Sequence, residues 1–110
     1  MILANIFCDE DKRVRCFTVK GHANYAGHGQ DIVCAAVSVL TINVINSIEA
    51  LTKDPFTSQV EEESGDVCFS FTDTISTESD ILMQSFVLGL SGIEESYGSE
   101  YIHMEIKAYR

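Results

Sequence analysis

The longest apolar stretch of the chain, from Ile32 to about Thr52, is the feature that most constrains its fold. Apolar residues recur there at helical spacing and Lys53-Asp54-Pro55 ends the pattern, which predicts a helix. Apolar side chains occupy nearly all sides of this helix, so a single sheet cannot cover it. We therefore expect a second layer, from another helix or another subunit, and predict a homodimer. Polar residues between Ser38 and Glu49 argue against a membrane-spanning helix.

The hydrophobic periodicity changes several times along the rest of the chain. A second helix is predicted to start at a cap, Thr77 or Ser79, and to run to about Tyr97, where Gly98 ends it. Alternating patterns predict strands at residues 2–8, 14–20, 57–63, 67–71 and 101–109. The resulting order, β-β-α-β-β-α-β, predicts an α+β fold with a mainly antiparallel sheet and two helices. The 110 residues, 45% of them hydrophobic, suit one domain spanning residues 1–110.

Charge and cysteine content limit the possible partners and the compartment. The formal net charge of −10 argues against binding nucleic acid, which needs clustered Lys and Arg, and suits a basic partner better than an acidic one. Solubility and substrate steering both explain this charge. The N-terminus has no basic region or cleavage site of a secretory signal, and the four cysteines need not pair in a domain of this size. We expect a cytoplasmic protein with reduced thiols.

A histidine and a cysteine stand at the two ends of one glycine-containing loop. The segment begins with Gly21-His22-Ala23 and ends with Asp31-Ile32-Val33-Cys34-Ala35-Ala36-Val37-Ser38. Asp31 is a candidate N-cap, which would put Cys34 in the first turn of the helix. Free backbone N–H groups and the helix dipole favour a thiolate there and offer donors to an oxyanion. The pattern suggests a Cys34 nucleophile with a His22 base.

These residues resemble the signature of the ribosomal-processing cysteine protease family, called Prp, position for position. The resemblance extends over the whole chain, although its second half is less distinctive. It implies an endopeptidase, working without a cofactor or metal, that removes a short N-terminal extension from a bacterial large-subunit ribosomal protein and cuts after an aromatic residue. Its partner is then the N-terminal peptide of that ribosomal protein.

The resemblance also implies roles for individual residues. Cys34 matches the nucleophile and His22 the catalytic histidine, which protonates the leaving amine, while backbone N–H groups near Cys34 and Ala35 hold the oxyanion. Asp31 orients His22 as a third catalytic member or only caps the helix. Ser38, one turn after Cys34, lines the substrate groove or bonds to the preceding turn. Gly21, Ala35 and Ser38 are assigned to substrate binding.

Two other classes of function compete with the protease. His22, His28 and Cys34 are candidates for a metal site, although their spacing is not that of ordinary zinc sites. A non-catalytic module that binds a basic ribosomal protein through its acidic surface is the second alternative.

Simpler structural roles are expected for the remaining residues of interest. Cys8, Cys16 and Cys68 are predicted to pack as small apolar residues. His103 is predicted at the surface, and the acidic run Glu61-Glu62-Glu63 at a solvated strand edge.

Overall fold

The computed structural model describes residues 1–21 and 28–110, and for residues 28–31 only the backbone. The element order confirms the predicted β-β-α-β-β-α-β succession. The elements are β1 (Ile2–Cys8), β2 (Val14–Lys20), α1 (His28–Leu51), β3 (Phe56–Val60), β4 (Val67–Phe71), α2 (Thr77–Tyr97) and β5 (Ile102–Ala108).

One five-stranded sheet, ordered β3-β4-β2-β1-β5, joins all the described strands. The β1–β2, β2–β4 and β3–β4 pairs are antiparallel, while β1 and β5 are parallel. The α+β fold with a mainly antiparallel sheet is thus confirmed. The single parallel pair follows from α2, which carries the chain from β4 across the sheet to its far edge.

Alternation along the strands separates a face covered by the helices from an outer face. In β1, for example, Ile2, Ala4 and Ile6 are buried, whereas the residues between them are only half-buried. The helices contribute buried apolar residues to the same core: Val33, Val37, Val44 and Ile48 from α1, and Met83, Phe86 and Leu90 from α2. The two helices pack against each other closely, since a Cβ added at Gly89 would lie 2.8 Å from Leu40 Cδ1.

Aromatic rings fill the part of the core beneath β2, β3 and β4. Phe69, at 2% exposure, stacks on Phe17 with centroids 5.2 Å apart and on Phe56 at 4.9 Å. Phe71 meets the same ring edge-on at 4.9 Å, and Phe86 from α2 lies 4.7 Å from Phe17. Phe69 therefore lies at the centre of the ring contacts that attach the β3–β4 hairpin to the core.

Helix α1 begins at His28, four residues before the predicted start. Asp31 is consequently its fourth residue, so the predicted N-cap is wrong. A stretch of α1, residues 32–51, is long and apolar enough to cross a membrane by length and composition alone. Burial of Val33 and Ile48 in the core that the strands and α2 share supports the interpretation as a core helix.

The start of α2 and the end of β3 also differ from prediction, the first because of a capping side chain and the second because of a turn. The cap of α2 is Ser76, whose hydroxyl accepts the Ser79 N–H, rather than Thr77 or Ser79; Gly98 ends the helix as predicted. Strand β3 stops at Val60, and residues 61–63 lie in the turn before β4 rather than on a strand edge. The Gly65 N–H closes this turn by donating to the Glu61 carbonyl over 2.8 Å.

Candidate active site

A cavity of about 250 Å³ lies between the start of α1, the ends of β1 and β2, and the β3–β4 hairpin. Apolar side chains make up most of its wall, and the described lining carries hydroxyls and one thiol but no charged side chain. The lining residues are Ile2, Val19, Gly21, Cys34, Val37, Ser38, Thr41, Ile42, Val60, Ser64, Gly65 and Val67. Such an opening fits a predominantly apolar group of a ligand.

Cys34 is half-buried and contributes its side chain to this cavity. It is the seventh residue of α1, so the predicted placement in the first turn is wrong. Only the first four N–H groups of a helix lack an intrahelical partner. The amides of Cys34 and Ala35 lie beyond them, and the Cα of Cys34 is about 9 Å along the axis from the helix start at 1.5 Å per residue.

The residues of α1 that share the cavity with Cys34 follow helical spacing. Ser38 is exposed and lies one turn on, and Thr41 lies almost two turns on. Thr41 is buried, and its hydroxyl donates a 2.7 Å hydrogen bond to the Val37 carbonyl. This bond satisfies the buried hydroxyl locally. Ser38 was anticipated from sequence; Thr41 was missed, although its position seven residues after Cys34 was an available signal.

Gly21 lines the same cavity from the end of β2, through its backbone. Its φ of +84° is in the left-handed region, and an added Cβ would lie 2.5 Å from the Met1 carbonyl oxygen. No other residue meets both conditions without strain. Its N–H donates a 3.0 Å hydrogen bond to Oδ1 of Asp66, in the turn between β3 and β4.

The β3–β4 hairpin forms a wall of the cavity, and none of its lining residues is among the site residues predicted from the sequence. Val60, Ser64, Gly65 and Val67 line it although they are more than twenty residues from Cys34 in sequence. Pairing of β4 with β2, which puts Val67 opposite Val19, brings them there. Only a prediction of strand order identifies such neighbours, because nothing local in residues 60–67 marks them.

The structure thus brings together three of the predicted site residues: Cys34, Ser38 and Gly21. Ala35 is exposed on α1 and is not among the lining residues described above. His22 lies outside the described residues, and so do the side chains of Asp31 and His28. Their proposed catalytic or metal-binding roles therefore stay predictions. Within residues 1–21 and 32–110, no three His, Cys, Asp or Glu side chains cluster as metal ligands do.

The other three cysteines lie outside this cavity lining. Burial raises the pKa of the Cys8 thiol, helped by the charge of Asp9. Burial also raises the pKa of Cys16, and nearby Cys68 adds to the effect. Both thiols thereby lose nucleophilic character at neutral pH. Cys68 is exposed on the outer face of β4, so the prediction that it packs inside is wrong; alternation along β4 assigns the buried positions to its neighbours Val67 and Phe69.

The remaining histidine, His103, has both ring nitrogens close to carboxylate oxygens at the edge of the sheet. Its Nδ1 lies 3.2 Å from Glu94 Oε2 and its Nε2 lies 3.4 Å from Glu105 Oε1. The side chain is 42% exposed. This arrangement attaches β5 to α2 and has no contact with the Cys34 cavity among the described residues.

A partly accessible thiol on the wall of an apolar cavity suits a cysteine-dependent enzyme. Comparison with known proteins makes the class specific, since a family model described as cysteine protease Prp matches residues 1–103. The ribosomal processing cysteine protease Prp of Bacillus subtilis (strain 168) is 32% identical over 101 residues, which cover 88% of this chain and 90% of that protein.

Solved structures give the same result at the level of the fold. The Prp protease of Staphylococcus aureus with a covalently linked product peptide superposes with a TM-score of 0.88 at 29% identity, covering 97% of this chain and 100% of the other. The structure of that protease with a substrate peptide gives 0.89 at 28% identity and the same coverage. The chain belongs to the cysteine protease Prp family. It is therefore a cysteine protease, a hydrolase.

Proposed function

We propose that this cysteine protease removes the N-terminal extension of a bacterial large-subunit ribosomal protein, with Cys34 as nucleophile and His22 as acid/base. The observation that carries the proposal is the Cys34 side chain on the wall of the cavity, beside Ser38 and Gly21. The names of the relatives, ribosomal processing proteases, support this substrate class. The complexes of the Staphylococcus aureus protease with a product peptide and with a substrate peptide support a peptide as the ligand.

The proposed reaction is acyl transfer through the thiol. The Cys34 thiolate attacks the scissile carbonyl carbon, and collapse of the tetrahedral intermediate breaks the C–N bond and leaves a thioester on Cys34. His22 gives its proton to the departing amine. Water, activated by the same histidine, then hydrolyses the thioester and frees the thiol. If the thiolate–imidazolium pair is the active form, the rate has two pH limbs, one for each partner.

The proposed oxyanion donors, the amides of Cys34 and Ala35, lie past the first turn of α1 in this structure. For the amides of Cys34 and Ala35 to serve, α1 would have to start later in the peptide-bound enzyme than at His28. Asp31 as a third catalytic member, oriented toward His22, belongs to the same proposal. The amide exchange of residues 34 and 35, compared with and without an uncleavable peptide, tests the rearrangement.

The apolar cavity is proposed to accept the substrate side chain next to the scissile bond. Its volume of about 250 Å³ and its valine and isoleucine lining suit an aromatic ring. Ser38 and Thr41 add hydroxyls on one wall. Cleavage of peptides with Phe, Leu or Asp before the scissile bond tests this proposal. The Asp peptide should be cut much more slowly than the other two, because burying its carboxylate in a cavity whose described lining has no charged partner costs desolvation energy. Equal cleavage of all three would indicate that the cavity does not bind this side chain.

The proposal also includes that the protein is a cytoplasmic homodimer. It is proposed to bind neither nucleic acid nor a membrane directly. Apolar side chains of α1 that face away from the core support the dimer: Val39 is 67% exposed and Leu51 68%. Sedimentation equilibrium of the wild type and of Val39→Glu tests it. Dissociation of the wild type to monomer at micromolar concentration would contradict the dimer.

A further inference from the structure

The side chain of Asp66 connects the β3–β4 turn to the end of β2. Its Oδ1 accepts the Gly21 N–H at 3.0 Å, across 45 residues of sequence. This is a contact between a side chain and the backbone, so it depends on the residue at position 66 and not on the sheet pairing alone. It lies where β2 ends, immediately before His22 in sequence.

Both partners of this hydrogen bond are held in place by other contacts. The Asp66 carbonyl accepts the Glu61 N–H at 2.8 Å, and its own N–H donates to Ser64 Oγ at 3.2 Å. Gly21 has a φ of +84° and lies against the Met1 carbonyl, at a distance that admits no Cβ. The hydrogen bond from the Gly21 N–H to the Asp66 carboxylate is charge-assisted. Because both residues are held by other contacts, its geometry is well defined.

The hydrogen bond also joins two walls of the Cys34 cavity. Gly21 lines one wall, and Ser64 and Gly65, next to Asp66, line the other. We propose that Asp66 is a positioning residue of this protease, fixing the strand end that leads to His22 relative to the cavity wall that faces Cys34. The inference rests on the proposed function of Cys34 and His22 and names one residue to which no part of that mechanism assigns a role.

The expected consequence is kinetic more than thermodynamic. The Gly21–Asp66 bond is exposed, so water replaces it readily and the fold loses little without it. A displacement of a catalytic group by about 1 Å, in contrast, can lower a rate by about 100-fold. The end of β2 leads directly to His22, the proposed acid/base, and does not form most of the cavity wall. Its displacement should therefore lower kcat more than it lowers the affinity for the peptide.

The experiment compares Asp66→Ala, Asp66→Asn and the control Glu62→Ala in cleavage of a fluorogenic peptide with an N-terminal ribosomal-protein extension. Asparagine keeps an oxygen acceptor, and Glu62→Ala removes one exposed negative charge from the same turn. We expect Asp66→Ala to lower kcat by about 10-fold or more with KM changed less than about 3-fold, while the other two stay within about 3-fold of wild type. Exchange of the Gly21 amide should accelerate in Asp66→Ala alone.

Other outcomes overturn the inference in distinguishable ways. Wild-type kcat in Asp66→Ala removes the positioning role, and an equal loss of kcat in Glu62→Ala shows that the charge of the turn, and not the hydrogen bond to Gly21, sets the rate. Unchanged Gly21 exchange in Asp66→Ala shows that the bond is not formed in solution. Cleavage that persists in Cys34→Ala contradicts the proposed function instead, and with it the catalytic part of this inference, while the Gly21 amide still reports whether the bond exists.

Discussion

The Ser76 N–H donates a 2.9 Å hydrogen bond to Oδ2 of Asp54, which ties the segment after α1 to the first turn of α2. The same carboxylate oxygen accepts the hydroxyls of Ser76 and Ser79. Ser76 in turn caps α2 through the Ser79 N–H. Asp54 therefore orients the residue that caps the second helix.

Asp54 should make the free energy of unfolding depend on pH. Partial burial opposes its ionisation, but the hydrogen bonds from Ser76 and Ser79 outweigh this and hold its pKa below the ordinary value. Since the folded pKa is lowered, the stabilisation is present above the unfolded pKa, about 3.9, and is lost as pH falls through the folded value. Asp54→Asn should be less stable by about 1 kcal/mol at pH 7.

Urea unfolding between pH 7 and pH 2.5 measures this effect. The difference in unfolding free energy between wild type and Asp54→Asn should shrink toward zero at the acid end. The control Asp73→Asn, at an exposed position in the segment between β4 and α2, should match wild type at both ends of the pH range. A constant difference over the whole pH range would show that charge on Asp54 is not the source.

Phe69 should be the most sensitive residue of the aromatic core. Phe69→Ala removes a side chain that contacts three other rings and leaves a cavity, so we expect a loss of about 3–5 kcal/mol. Phe56→Ala, at the partly exposed edge of the same cluster, is the matched control and should cost less. Equal losses in chemical denaturation would contradict the central position of Phe69.

Gly21 and Gly65 allow strain and steric clash to be separated. Both have positive φ, but an added Cβ at Gly65 meets nothing within 4 Å, whereas one at Gly21 meets the Met1 carbonyl. Gly65→Ala should cost about 1–2 kcal/mol from backbone strain alone. Gly21→Ala should cost more, because β2 or the start of β1 must also shift. Thermal and urea unfolding of both variants check the order, and a reversed order would refute the reported contact.

Narrowing the cavity should weaken substrate use without removing the thiol. Val60 is 50% exposed at the cavity edge, so the fold should tolerate Val60→Trp while the ring occupies part of the opening. We expect KM for a peptide to rise about 10-fold, and Cys34 alkylation by iodoacetamide to continue, as mass mapping would show. Gln59→Trp, the neighbouring position on the other face of β3, is the control. Equal effects of the two variants would argue against peptide entry at Val60.

The strands and helices were predictable because each carries its own local pattern. Alternation in β1 and the Gly98 stop of α2 are examples that the structure confirms. The start of α1 was not, since Asp31 is a good N-cap by type and yet the helix extends back to His28. Capping preference is about 1 kcal/mol, which is small enough for other local interactions to override.

The site was predictable where its residues share one segment. Cys34 and Ser38 lie one helical turn apart, and Gly21 precedes the histidine of the same motif. Thr41 extends that helical face and was accessible to the same reasoning. The wall formed by Ser64 and Gly65 depends on the pairing of β4 with β2, which no local pattern specifies.

Intact-mass analysis of an N-terminally extended ribosomal-protein peptide after incubation with wild type, Cys34→Ala, His22→Ala and Cys68→Ala tests the central claim most directly. The account predicts one cut by wild type and Cys68→Ala and none by the other two. Cys68 is the matched control because it is an exposed thiol away from the cavity. Cleavage by Cys34→Ala, or its loss in Cys68→Ala, would contradict the assignment of Cys34 as the nucleophile.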